Sequence, residues 1–193
     1  MADSHDVNTE QIASAGDVVL VVGTQTEVKL LISSTVLSSA SKVFAALLGP
    51  AFREGQGLAS ASQPKQTTLR EDEPQAMSDM CNFLHGRAVV GFLEVAPSAR
   101  ILSIAIAADK YACVDAQRSY SRAILSAHLR VFNHESMLVS GELMLAAYLL
   151  DSSEAFSEAT SRLISGTTSE YSELLNQRLG LPYSRECTLQ LGV

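Results

Sequence analysis

An unbroken apolar block, Val18-Val19-Leu20-Val21-Val22, is the first structural signal in the chain. It is rich in β-branched residues and apolar at every position, which predicts a strand covered on both faces. Val28-Lys29-Leu30-Leu31-Ile32 is its expected partner, and the short turn at Gly23-Thr24-Gln25 predicts a hairpin. From Ser33 onward the period changes. Val36, Leu37 and Ala40 form one apolar helical face, and Val43, Phe44, Leu47 and Leu48 form the next. A hydroxyl at Ser33 or Ser34 is expected to cap the first of these helices by accepting an orphan backbone N–H. Gly49-Pro50 stops the second. Residues 1–14 are polar, lack either period, and read as a flexible leader.

Downstream, residues 55–66 are small and polar and read as a loop, and Gln66 to Arg70 reads as a short third strand. Glu71-Asp72-Glu73-Pro74 then opens a helix, because carboxylates suit its positive N-terminal end and proline suits its first turn. That helix carries Met77, Met80, Cys81 and Leu84 at helical spacing and stops at His85-Gly86. Residues 87–98 are a connection with a short strand expected at Ala88 to Phe92. After Pro97, an apolar stripe of Ile101, Ile104, Ala105, Ala108, Tyr111 and Ala112 predicts a long helix. Another is expected over 115–129, with Tyr120, Ile124, Leu125 and Leu129 inward. Further helices are expected near 136–150, 153–165 and 168–179. The resulting plan is a leader at 1–14, a mixed α+β unit at 15–130, a helical extension at 134–180 and a frayed tail at 181–193. No internal repeat is visible.

Composition narrows the function classes. With 193 residues, 47% hydrophobic and 18% charged, the chain can bury a substantial core. Its formal charge of -7, from 14 basic and 21 acidic residues, repels a phosphate backbone. Lys29, Lys42, Arg53, Lys65, Arg70 and Arg87 are scattered singly, so no basic patch offsets that field and no direct nucleic-acid partner is expected. Residues 1–16 hold Asp3, Asp6 and Glu10 and no apolar block, so they do not read as a secretory signal. The longest wholly apolar run, Leu143 to Leu150, falls far short of the roughly 20 residues of a membrane helix. Cys81, Cys113 and Cys187 are widely spaced and odd in number, and read as free thiols in a reducing compartment. The expected location is cytoplasmic, nuclear or both.

Little in the sequence suggests chemistry. Cys81 and His85 are one helical turn apart and could present two metal ligands on one face. No second pair accompanies them, and Cys81 lies on the apolar stripe, so both are expected to be structural and no metal or other cofactor is expected. His5, His128 and His134 have no neighbouring nucleophile or acid in a recognisable arrangement. There is no Gly-x-Ser-x-Gly elbow and no Walker-type loop. The chain is expected not to be an enzyme.

Several segments in register carry a family resemblance. They are Gly16-Asp17-Val18, Val36 through Phe44, Phe52-Arg53-Glu54-Gly55, Leu69 through Pro74, Asn82-Phe83-Leu84-His85-Gly86 and Ala107-Ala108-Asp109-Lys110-Tyr111. Together they resemble the BTB/POZ family, most closely its short members in filamentous fungi. The resemblance implies a three-stranded sheet capped by a helical cluster and a non-catalytic protein–protein interaction module, often homodimeric. It also implies that the first strand and first helix build the dimer contact, which here points to Asp17, Val36 and Leu37. The chain departs from the family in two places: Ser33-Ser34 stands where His-Lys is frequent, and Lys42 replaces a proline. In transcription-factor members, a buried charge near the place of Asp17 pairs with that basic residue.

Phe52-x-Glu54 matches the apolar-x-Glu element that cullin-binding members present after the second helix. It reads either as a docking pair, with burial from one residue and orientation from the other, or as a core phenylalanine beside a solvated carboxylate. Asp17 likewise reads as a dimer-surface residue or as the solvated start of a strand. The nearly apolar stretch Leu143 to Leu150 must be buried by neighbouring helices or by a second chain. The resemblance therefore implies a substrate adaptor of a cullin-type ubiquitin ligase or, alternatively, a homodimeric scaffold or regulatory subunit in transcription. As an adaptor with no Kelch or MATH domain, it would have to recruit substrate through residues 134–193.

Overall fold

The computed structural model describes residues 9–49, 63–87, 96–131 and 137–165. Phe52, Glu54, the strand expected at Ala88 to Phe92, the helix expected near 168–179 and the tail at 181–193 lie outside the described residues. The architecture is α+β, with four strands in a single sheet and seven helices among the described residues. The strands are β1 (Thr9–Gln11), β2 (Val18–Val22), β3 (Val28–Ile32) and β4 (Lys65–Leu69). The helices are α1 (Ser34–Ala40), α2 (Lys42–Leu48), α3 (Pro74–Leu84), α4 (Ser98–Lys110), α5 (Arg118–Val131), α6 (Met137–Leu149) and α7 (Ser153–Ser165).

The sheet runs β1-β3-β2-β4. β2 and β3 form the expected antiparallel hairpin, with Val18 opposite Ile32 and Val22 opposite Val28. All five β2 residues are buried, as an all-apolar strand flanked on both edges requires. Gly23 opens the connecting turn at φ +89°, and a Cβ there would stand 2.9 Å from both Pro74 Cγ and the Thr26 carbonyl oxygen. Only glycine fits that position without strain. β4 lies parallel to β2 along the sheet edge, with Thr67 and Leu69 inward and Gln66 and Thr68 exposed.

Among the described residues the sheet includes a strand that the sequence did not announce. Thr9–Gln11, read as part of the leader, pairs in parallel with Lys29–Leu31 as an edge strand. Its Glu10 carboxylate accepts from Ser78 Oγ at 2.6 Å and Asn82 Nδ2 at 2.9 Å, both on α3. Arg87 reinforces the same attachment by donating to the carbonyls of Gln11 and Ile12 at 2.5 and 2.9 Å. A three-residue polar strand has no apolar alternation to reveal it, because long-range polar partners hold it in place.

The chain divides into two compact units, residues 1–90 with 107–117 and residues 91–106 with 118–193. α5 joins the later helices because it packs on α7, where Arg162 donates to the Leu129 carbonyl.

In the first unit, α3 packs against α1 and β3 and buries Met77, Met80 and Cys81 completely. Glu73 caps α3 by accepting from the N–H groups of Gln75 and Ala76 at 3.0 and 2.5 Å. This is the helix-start role expected of the acidic run. In the second unit, α6 buries Leu143, Leu145, Ala146, Ala147 and Leu149, and its main neighbour is α7. α7 contributes the buried stripe of Ala155, Ala159 and Leu163. The buried Glu142 accepts from Ser98 Oγ at 2.6 Å.

Candidate interaction site

Asp17, Ser33, Ser34 and His85 meet where β3 turns into α1. Ser33 takes the N-cap position of α1, but its hydroxyl makes no capping bond. Asp17, at the entry to β2, supplies the missing acceptor. Its Oδ1 accepts from the Ser34 N–H at 2.7 Å and its Oδ2 from Ser34 Oγ at 2.6 Å. The Ser33 N–H donates instead to Nε2 of His85, just beyond α3, at 3.1 Å. The start of a seven-residue helix, too short to be stable alone, is thus held by side chains from two other elements.

A second set of bonds fixes α2. Ser41 sits between the two helices, and its Oγ accepts from the Phe44 N–H at 3.0 Å while donating to the Tyr111 carbonyl. The hydroxyl occupies the N-cap, one residue before Lys42, and makes proline in the first turn unnecessary. Phe44 is fully buried and stacks on Tyr111, with ring centroids 4.4 Å apart and planes 4° apart. Tyr111 donates its hydroxyl to Asp72 Oδ2 at 2.7 Å, and Lys110 Nζ reaches Oδ1 of the same carboxylate at 2.7 Å. One acidic residue upstream of α3 therefore anchors the segment that stacks on α2.

The titratable groups here are tuned for structure. Burial, followed by its bond to Asp72, pushes the Tyr111 phenol well above the ordinary tyrosine range. Burial likewise drives the Cys81 thiol far up, and it pushes Cys113 up to about 11 even though a hydrogen bond with Ser41 opposes it. Both thiols are free and buried. His85 is shifted the other way, below its ordinary value, first by burial and further by the charge of Arg87. Its Nδ1 lies 2.7 Å from the Cys81 carbonyl oxygen, so the backbone of Cys81 engages the ring. Among the described residues no group of three His, Cys, Asp or Glu side chains could hold a metal ion.

Of the three residues expected at a dimer surface, Leu37 is 0% exposed and forms part of its own unit's core. Val36 is half-buried. Asp17 is also half-buried, and both its carboxylate oxygens are engaged at the start of α1, a role that neither sequence reading assigned to it. Sequence reasoning also missed Ser41 and Tyr111 as paired anchors and His85 as an acceptor. Tyr111 and His85 act on partners distant in the chain, so no local spacing marks them, whereas Ser41 also caps α2 locally, and a serine just ahead of an apolar helical run is the signal that could have found it. α2 leaves Lys42, Ala45 and Ala46 exposed just ahead of the segment that carries Phe52 and Glu54.

No protein-family model matches this chain, and no curated protein matches it. Among the described residues no helix is long and apolar enough to cross a membrane.

Proposed function

We propose that this protein is a non-catalytic interaction module of the BTB/POZ type, and that it docks a cullin-type scaffold through Phe52 and Glu54 as a ubiquitin-ligase adaptor. The observation that carries the reading is the element order of the first unit. A β2–β3 hairpin runs directly into the short α1–α2 pair, and β4 then returns parallel to β2 ahead of α3. Polar bonds from Asp17, Ser41 and His85 tie both helices of the pair to the rest of their unit. Ser34 meets Asp17 where the resembled family has a basic residue, so a hydroxyl and an N–H take over a contact that would otherwise be ionic. A helix pair tied in this way suits recognition, since preorganised side chains lose less entropy on docking.

The test is a calorimetric titration of the full chain against the amino-terminal domain of a cullin scaffold that binds BTB adaptors. Micromolar or tighter binding, weakened at least about tenfold by both Phe52→Ala and Glu54→Ala, supports the adaptor reading; a tenfold loss corresponds to about 1.4 kcal/mol. No heat from well-folded protein removes the adaptor reading, and sedimentation then decides whether self-association remains.

A further inference from the structure

His85 is half-buried, and its two ring nitrogens face partners of opposite kind. Nδ1 lies 2.7 Å from the Cys81 carbonyl oxygen, which can only accept, so Nδ1 carries the proton. Nε2 lies 3.1 Å from the Ser33 backbone nitrogen, whose N–H can only donate, so Nε2 must be bare. A single protonation state, the neutral ring with its hydrogen on Nδ1, makes both bonds. We infer that His85 is an acid-released clamp: the neutral ring ties the start of α1 to the end of α3, and a proton on Nε2 sets two donors against each other and undoes the tie. This inference is independent of any partner.

The surrounding charges fit a clamp that is closed at neutral pH. Arg87, two residues on, disfavours a second positive charge. Asp17 engages the adjoining residue of the helix start, and both its oxygens already accept from Ser34. Glu10 is engaged by Ser78 and Asn82 on α3. The Cys81 thiol is held neutral by burial. With the folded ring below its ordinary value, the unfolded chain takes up its proton first. The clamp's contribution is therefore complete above the ordinary imidazole range, and it is lost as pH falls through that range toward the folded value.

Long-range proton–nitrogen spectra of the labelled full chain identify the His85 tautomer and follow its titration separately from His5, His128 and His134. Amide exchange, corrected for intrinsic rate, follows the Ser33 N–H over the same pH range. The expected result is an Nδ1-protonated ring at pH 7.5 and a roughly two- to tenfold fall in Ser33 protection as His85 titrates, the worth of one hydrogen bond. Protection at Leu20 in the central strand should stay level. In His85→Gln the amide oxygen can still accept from Ser33 but does not titrate, so Ser33 protection should become flat with pH. An Nε2-protonated ring, Ser33 protection that ignores the His85 titration, or the same fall in His85→Gln would each overturn the inference. If the variant does not fold, the tautomer and exchange profile of the unmodified chain decide alone.

Discussion

Asp17 shows how much one side chain settles at the residue scale. It sits beside an apolar strand, yet both its oxygens serve a helix that begins at Ser34. Asp17→Ala removes both bonds and leaves the start of α1 uncapped, which should lower stability by about 1–2 kcal/mol. In urea denaturation the midpoint should drop with an unchanged slope. Asp17→Asn should recover part of the loss, because an amide oxygen still accepts from the Ser34 N–H. The buried thiols give a second prediction at this scale. In a Cys187→Ser variant only Cys81 and Cys113 remain. With Cys113 pushed up to about 11, about one molecule in a thousand carries its thiolate at pH 8. A disulfide reagent should therefore modify native protein very slowly and react promptly once urea is added. Prompt reaction in the native state would contradict the burial of both groups.

Among the elements, β1 is the one most dependent on its surroundings. Among the described residues its backbone pairs with β3 alone, and Glu10 and Arg87 supply its lateral attachments. Glu10→Ala should release β1 locally. Amide exchange within Thr9–Gln11 should rise severalfold, while the thermal midpoint shifts little, since edge segments open well below the global unfolding free energy. β2 and β3 should keep their protection. The strand is also the clearest limit on what a pattern can reveal. Period-2 alternation reports a strand with one buried face, and Thr9-Glu10-Gln11 offers an exposed pair and no apolar side. By contrast, the hairpin was legible from its apolar, β-branched block, α3 from apolar residues at helical spacing, and α6 from a run that is apolar on nearly every side.

Across the whole molecule, net charge sets the expected behaviour toward polyanions. A chain at -7 with singly scattered basic residues should pass through a phosphocellulose or DNA column at pH 7 and about 0.1 M salt without retention. Retention would require a basic surface that the sequence does not display. The division into two compact units is also a property of this scale. α5 carries an amphipathic face that would suit any helical neighbour, and its grouping with α6 and α7 rests on its packing against α7 and on Arg162 reaching the Leu129 carbonyl. Nothing in the α5 sequence names that neighbour.

The sequence by itself determined the apolar hairpin, the short helix pair after it, the acidic cap of α3, the described helices between 98 and 165 and the lack of a basic field. Each follows from local periodicity, from a residue's fit to a helix end, or from summed charge, and none needs knowledge of distant partners. Tertiary structure alone decided that Thr9–Gln11 is a strand, that Leu37 is core, that Asp17 and His85 hold α1, and that Tyr111 fixes α2 through Phe44 and Ser41. These outcomes depend on hydrogen bonds and packing between residues far apart in the chain. Such contacts exist only once the chain has folded, so a single sequence carries no spacing that reveals them.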